Sequence, residues 1–162
     1  MRSLTLLLSL LSFGLPLQAQ TPAEAAITRV LDSFHEAASQ HDFQRYFEQT
    51  SPDLVFLGTD AKERWDRKAF EQYVKPFFDK GQGWTYKAQE RHIQIAQDQK
   101  LAWFDELLDN PKYGTCRGTG VLQKIGKDWK ISQDHLTIPV PNELAATLVQ
   151  MIQDAKTKTA KP

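Results

Sequence analysis

The segment from Leu101 to Leu122 constrains the fold more strongly than any other part of this sequence. It predicts two β-strands joined by a turn at Asp109-Asn110-Pro111, with two adjacent acids, Asp105 and Glu106, inside an apolar run. Charged groups within a buried strand are costly unless they are paired or take part in function. Because neighbouring strand residues point to opposite faces of a sheet, only one of the two acids can face the core, and the sequence leaves open which one.

Helical patterns precede this segment and one follows it. Residues Thr21 to Glu24 form a capping box with proline at the first helical position, and apolar residues at helical spacing follow it. Phe43 begins a second short helical pattern, and Asp60 predicts the start of a third. Pro76 lies inside the third pattern and predicts a kink or an end near Lys75. A last helix is predicted after Asn142.

The remaining apolar runs predict strands. Leu54 to Leu57 is a short buried strand, and from Trp84 onward the apolar period becomes two. The phase of this pattern changes between Gln89 and Arg91, which predicts a bulge or a bend. Trp129 to Ile138 is the last strand, with Trp129, Ile131, Gln133 and His135 expected on one face. Helices on one side of a curved antiparallel sheet make an α+β domain shaped as a cone with an open mouth.

The ends of the chain are predicted to lie outside the domain. Residues 1–19 combine a positive charge, a short apolar run and a small residue, the pattern of a cleaved signal peptide. The domain is then expected at residues 22–155, followed by a flexible tail at 156–162. Export to the periplasm or secretion follows from the leader, with no membrane attachment once it is removed. The net charge of zero argues against a nucleic-acid partner.

Cys116 is the only cysteine of the 162 residues, so no internal disulfide can form. A free thiol in an exported protein is either buried or available for an intermolecular bond. Burial among apolar side chains is the usual position of a free cysteine, and we expect it here.

Several blocks of the sequence resemble the SnoaL-like branch of the nuclear transport factor 2-like (NTF2-like) superfamily. These are Gly58-Thr59-Asp60 with Glu63-Arg64-Trp65, Ala102 to Glu106, Cys116 to Leu122, Trp129-Lys130-Ile131, His135-Leu136 and Ile138 to Asn142. The resemblance implies a cone-shaped α+β domain with a pocket lined by the central strands and a homodimer formed through the open sheet face. It does not imply one activity, since this superfamily includes isomerases, dehydratases, cyclases, epoxide hydrolases and binding proteins.

The same resemblance places Asp105, Arg117 and His135 where pocket residues would fall. Asp105 and His135 are therefore the candidate acid–base pair, whereas the structural alternatives are an Asp105–Arg117 ion pair and a core histidine. The candidate ligand-binding residues are Arg117, Trp103, Glu106, Trp65, Tyr73 and Trp84. The four histidines lie far apart in the sequence, so neither a metal site nor a cofactor is expected.

Three functions remain open at this point. The first, which we favour, is an exported binding domain for a small, partly apolar ligand that can be anionic, with Arg117 as its anchor. The second is a cofactor-independent isomerase, cyclase or dehydratase that uses Asp105 and His135, and the third is an interaction domain that dimerises through its sheet face. A cavity containing two titrating groups whose pKa values shift in opposite directions would favour the enzyme.

Overall fold

A computed structural model describes residues 20–159 of the chain, as four helices and one six-stranded sheet. The predicted signal peptide and residues 160–162 of the predicted tail lie outside the described residues. The elements in chain order are α1 (Pro22–Ser39), α2 (Phe43–Glu48), β1 (Thr50–Leu57), β2 (Arg64–Asp66), α3 (Arg67–Phe78), β3 (Lys87–Ile95), β4 (Leu101–Asn110), β5 (Gly114–Ile125), β6 (Asp128–Thr137) and α4 (Ala145–Thr159). A 3-10 turn over Asn142–Leu144 leads into α4.

The sheet confirms the predicted α+β fold. Its strand order is β2-β1-β6-β5-β4-β3, and the strands from β3 to β6 form consecutive antiparallel hairpins. The first strand pairs with β6 in parallel, so the sheet is mixed rather than wholly antiparallel. One face of this open, curved sheet packs against the first three helices, which leaves a cavity between sheet and helices at one end.

The helix starts follow their capping residues. The Thr21–Glu24 capping box is present at the start of α1, as predicted. The predicted start of α3 at Asp60 is wrong, because residues 60–63 form a turn and a short strand, β2, precedes the helix. The side chain of Asp66 caps α3 instead. Pro76 is accommodated in the last turn of α3, which ends at Phe78.

The core lies between α1, α2, α3 and the inner face of the sheet. Its members are apolar or aromatic side chains, chiefly Ile27, Leu31, Phe34, Tyr46, Phe47, Leu54, Phe70, Val74, Phe104, Leu122, Trp129 and Ile131. Stacked rings connect the helices to the sheet, for example Phe56 on Phe70 with centroids 3.9 Å apart. Cys116 is buried, as predicted.

Two bulges determine which side chains face this core. In β3, Ala88 pairs with Leu108 and Glu90 pairs with Leu107, so Gln89 is the extra residue, within the predicted region. A second bulge lies in β6, where Ser132 is the extra residue between two paired neighbours. This second bulge reverses the alternation of β6 from that point onward, and the sequence pattern did not indicate it.

The C-terminal helix α4 is exposed from residue 145 to residue 157. Leu148, Val149, Met151 and Ile152 each expose at least a third of their surface. The helix continues to Thr159, beyond the predicted end of the domain at residue 155.

Candidate functional site

A cavity of about 500 Å³ opens at the wide end of the cone. This size suits a small organic molecule, and the mixture of aromatic walls with a few polar groups is typical of ligand sites. Its aromatic lining consists of Phe34, Tyr46, Phe56, Trp65, Phe70, Tyr73, Trp84, Tyr86 and Tyr113. Its ionisable lining, apart from the tyrosines, consists of His35, Glu63, Glu106, Lys112 and Asp134.

Strand β5 crosses the floor of this cavity, where Gly118 lines it. Gly118 pairs with Glu106 of β4, and Gly120 pairs with Asp134 of β6, so β5 crosses the floor between the two acids. A Cβ on Gly118 would lie 3.2 Å from the Glu106 side chain. Glu106 and Asp134 both line the cavity, and the spacing of two strands with a two-residue offset places their backbones about 12 Å apart.

Glu106 is held by two basic side chains. Its Oε1 accepts a hydrogen bond from His35 Nε2 at 2.6 Å, and its Oε2 accepts one from Arg91 Nε at 2.7 Å. Arg91 also donates from Nη1 to Asp32 at 2.7 Å. Glu106 itself is only 1% exposed, so these bonds occupy a nearly dry environment.

The pKa of Glu106 is lowered by these contacts. Burial alone would raise that pKa, but the hydrogen bonds and positive charges of His35 and Arg91 outweigh the burial. Glu106 is therefore ionised at neutral pH and accepts the hydrogen of His35 Nε2, which leaves Nδ1 as the other nitrogen for proton exchange.

Asp134 lies in the opposite electrostatic situation. It is 8% exposed and lines the cavity, yet its carboxyl group has no hydrogen-bond or ion-pair partner among residues 20–159. Burial, reinforced by the negative charge of Glu106, raises its pKa to about 7, although His35 acts in the other direction. One floor thus carries one ionised carboxylate and one carboxyl group present in both forms near neutral pH.

Tyrosine hydroxyls complete the polar lining. Burial raises the pKa of Tyr46 well above its usual value, and the nearby Asp134 raises it further. The pKa of Tyr86 is also raised, mainly by burial. Both tyrosines therefore remain protonated hydrogen-bond donors at neutral pH. At the rim, Trp65 of β2 stacks on Tyr73 of α3 with ring centroids 4.7 Å apart.

The family model of the SnoaL-like domain matches residues 27–141, most of the described chain. The chain belongs to the SnoaL-like family. No curated protein matches it.

Solved structures of the NTF2-like superfamily share the fold of this SnoaL-like domain. An NTF2-like protein of unknown function from Pseudomonas putida KT2440 aligns with a TM-score of 0.64 at 17% identity, covering 76% of this chain and 92% of that one. A candidate dehydratase of the NTF2-like family from Streptomyces avermitilis aligns with a TM-score of 0.62 at 12% identity, covering 75% and 100%. A candidate aromatic ring hydroxylase from Novosphingobium aromaticivorans gives 0.61 at 15%, covering 75% and 94%. At these identities the likeness shows the fold alone.

Four of the predicted ligand-binding residues line the cavity of the SnoaL-like domain. Glu106 lies on its floor, Trp84 on its wall, and Trp65 and Tyr73 at its rim. Of the two adjacent acids in β4, Glu106 is therefore the one that faces inward. Lining the cavity is a position, and the binding role of these residues stays a prediction.

The other predicted site residues lie elsewhere, and their expected position in the pocket is wrong. Asp105, Trp103 and Arg117 are exposed on the outer face of the sheet, because they alternate with the buried residues of β4 and β5. Asp105 and Arg117 are diagonal neighbours on this outer face, opposite Thr119 and Leu107 respectively, and no ion pair joins these two described residues.

His135 is also displaced from the cavity. The extra residue Ser132 shifts the alternation of β6, so Asp134 takes the inward position and His135 lies beside Leu57 of β1 on the other side. It lines a neighbouring depression, which shares Gly58, Thr59 and Glu63 with the cavity.

Sequence reasoning missed His35, Arg91 and Asp134 as members of one site. A signal for His35 existed, since it follows Leu31 by one helical turn and precedes Ala38 by another, on the buried face of α1. Arg91 lies just after the predicted bulge in β3, which turns it inward. Asp134 had no such signal.

The described residues show no group of three or more His, Cys, Asp or Glu side chains arranged to hold a metal ion. No helix within residues 20–159 is long and apolar enough to cross a membrane.

Proposed function

We propose that this SnoaL-like domain is an enzyme that moves a proton on a small, partly apolar molecule without a cofactor. Isomerisation, cyclisation and dehydration belong to this class, and dehydration is the activity named for the Streptomyces neighbour. The observation that carries the proposal is the opposite shift of two carboxyl pKa values on one cavity floor, downward for Glu106 and to about 7 for Asp134.

Asp134 is the proton-exchanging group in this proposal. A group whose pKa lies near the working pH accepts and returns a proton with little penalty, and general acid–base catalysis of this kind contributes roughly 10²- to 10⁴-fold. Its carboxyl group is open to the cavity and is not engaged by another side chain of the described chain.

His35 and Glu106 form the second polar group. Ionised Glu106 holds the imidazole by accepting a hydrogen bond from His35 Nε2. Arg91 in turn holds Glu106 by donating a hydrogen bond to its other carboxylate oxygen. The imidazole is thereby oriented to exchange or share a proton with an oxygen of the bound molecule. Tyr46 adds a neutral hydroxyl donor beside Asp134.

Hydrogen–deuterium exchange into candidate substrates tests this function without knowledge of the product. The protein is incubated in D₂O with small aromatic and alicyclic ketones, alcohols and amines, and deuterium uptake at carbon is followed by NMR. We expect catalysed uptake that falls by about 100-fold or more in Asp134→Asn. Asp105→Asn and His135→Gln are the matched controls on the outer sheet face and retain the rate.

The same assay decides the earlier alternative. Loss of exchange in His135→Gln or Asp105→Asn, with Asp134→Asn unaffected, would return the catalytic role to the residues predicted from sequence. Absence of exchange for compounds that titration calorimetry shows to bind would contradict an enzymatic function.

We also propose that the protein is exported and works as a homodimer. The leader pattern at residues 1–19 supports export, and N-terminal sequencing of the mature chain tests it. Leu101, Trp103 and Ile125 expose 48%, 51% and 45% of their surface on the outer sheet face, which supports self-association there. Light scattering is expected to give twice the monomer mass for the native chain and the monomer mass for Trp103→Asp.

A further inference from the structure

The charges that line the cavity favour one sign of ligand. Glu106 pairs with both His35 and Arg91, and Asp32 also pairs with Arg91, so this cluster carries no excess positive charge for an anion. Arg117, the anchor predicted for an anionic ligand, is exposed on the opposite sheet face. The remaining lining base, Lys112, lies over the ring of Tyr113 with its Nζ 4.9 Å from the centroid.

Asp134 is the acidic group on the cavity floor that is available to pair with a positively charged ligand. It is more than nine-tenths buried, it lines the cavity, and its carboxyl group lacks a partner within the described chain. A buried polar group without a partner is unusual in native proteins and calls for an explanation such as an unseen ligand. A ligand with a positive charge would supply the missing partner.

The cavity walls favour the same sign. Six of the lining rings belong to Trp or Tyr, whose faces carry partial negative charge and attract organic cations. Trp65 and Tyr73 stack at the rim, and Tyr46 and Trp84 lie deeper with ring centroids 6.0 Å apart. Aromatic walls around a carboxylate are the arrangement that binds alkylammonium groups.

We propose that the cavity binds an organic amine in its ammonium form, on an apolar carbon frame, with Asp134 as its counter-ion and the aromatic rings as its walls. This proposal rests on the proposed function for the identity of the site, and it adds the charge of the substrate. An ammonium group on the substrate also keeps Asp134 in its ionised, basic form while the substrate is bound.

Proton release accompanies binding in this proposal. The groups that face Asp134 are His35 on α1, Tyr46 on α2, Tyr86 before β3 and Glu106 on β4. Below pH 7 the empty cavity holds Asp134 mainly in its protonated form, and pairing with a cation displaces that proton. Comparison with Asp134→Asn identifies the share of the released protons that comes from Asp134.

A matched set of probes, measured by titration calorimetry, tests the proposal. The probes are 2-phenylethylamine, 2-phenylethanol and phenylacetate, each of which carries one phenyl ring and a different polar group. We expect the amine to bind about tenfold or more tightly than the alcohol, and the carboxylate to bind most weakly. At pH 6, buffers of different ionisation enthalpy are expected to report close to one proton released per amine bound. In Asp134→Asn the amine-to-alcohol ratio falls several-fold, to the smaller preference that the aromatic walls alone provide, and the proton release is lost.

Two further variants keep the test decisive. Asp105→Asn, on the outer face, retains the full preference for the amine. Tyr73→Leu, at an exposed rim position, lowers amine affinity several-fold more than alcohol affinity and does not depend on the stability of the floor.

The outcomes separate this proposal from the enzymatic one. Alcohol binding as tight as amine binding, or no amine binding at about 1 mM, overturns the assignment of a cation. If deuterium exchange into uncharged compounds is still lost in Asp134→Asn, the proposed function stands with a neutral substrate. Amine binding with proton release but without any exchange would instead retain the ligand class and remove the enzymatic function.

Discussion

Replacement of Asp134 by asparagine is expected to stabilise this protein at neutral and alkaline pH. The asparagine side chain has nearly the same shape and stays uncharged, whereas Asp134 must ionise inside an apolar cavity as the pH rises. Its pKa is raised to about 7 in the folded protein, from an ordinary value of 3.8. The variant therefore removes an ionisation that the folded state resists.

The sign and size follow from proton linkage. Between these two pKa values the folded state binds more protons at Asp134 than the unfolded state, so the free energy of unfolding falls as the pH rises. Each pH unit in this interval contributes about 1.4 kcal/mol. The contribution of Asp134 is fully present below pH 4 and is lost as the pH passes 7, a total on the order of 4 kcal/mol.

Urea unfolding of the wild type and of Asp134→Asn between pH 4 and pH 8 measures this difference. The two proteins should differ little at pH 4, and the variant should be more stable by about 4 kcal/mol at pH 8. Asp128→Asn, at the exposed start of the same strand, is the control and should differ from the wild type by less than about 0.5 kcal/mol. A constant difference for Asp134→Asn would refute the reasoning, because the carboxyl group would then be ionised throughout and its environment polar.

Three further changes test other parts of the structure. Glu106→Gln is expected to lower the free energy of unfolding by about 3–5 kcal/mol at pH 7, since it removes the buried carboxylate that pairs with His35 and Arg91 and leaves Arg91 only the exposed Asp32. Asp105→Asn beside it should change the free energy of unfolding by less than about 0.5 kcal/mol. Gly120→Ala should lower the free energy of unfolding by about 1–3 kcal/mol or more, because the added methyl group would meet the ring of Phe104 at 2.6 Å and a backbone carbonyl of β6. Thr119→Ala, on the outer face, is the control and meets no such contact. Cys116 should react with a thiol reagent only after unfolding, because burial both shields the thiol and raises its pKa; rapid native labelling would contradict its placement.

Most of the fold could be predicted from local patterns. The capping box at Thr21, the period of two after Trp84 and the phase change near Gln89 each have a short-range cause that the sequence displays. The start of α3 could not be placed, because Asp60 with Glu63 and Asp66 are both credible capping signals. The formation of β2 before the helix determines that α3 starts after Asp66. This three-residue strand pairs with β1 through a tertiary contact, and it has no periodic sequence pattern that would predict it.

The candidate site was harder to predict because strand parity depends on every residue that precedes it. Strand alternation correctly predicted that only one of Asp105 and Glu106 faces inward. The structure shows that it is Glu106, which pairs with His35 and Arg91. In β6 the pattern Trp129, Ile131, His135 appeared regular, and only the cross-strand register reveals that Ser132 is unpaired. Because of this one extra residue, Asp134 faces the cavity in place of His135. The proton-exchanging group that we now propose therefore differs from the one predicted from the sequence.

Both bulges therefore contribute to function as well as to curvature. The bulge in β3 turns Arg91 inward, where it holds Glu106 ionised. The bulge in β6 turns Asp134 inward, where its carboxyl group meets no hydrogen-bond or ion-pair partner within residues 20–159. A regular sheet of the same sequence would place a different set of charges on the floor. Since the ionised Glu106 also helps to raise the pKa of Asp134, the two strand irregularities act together on one group. The reactivity proposed for Asp134 thus depends on Arg91, three strands away in the sheet, and a substitution there should act on Asp134 through Glu106 rather than by contact.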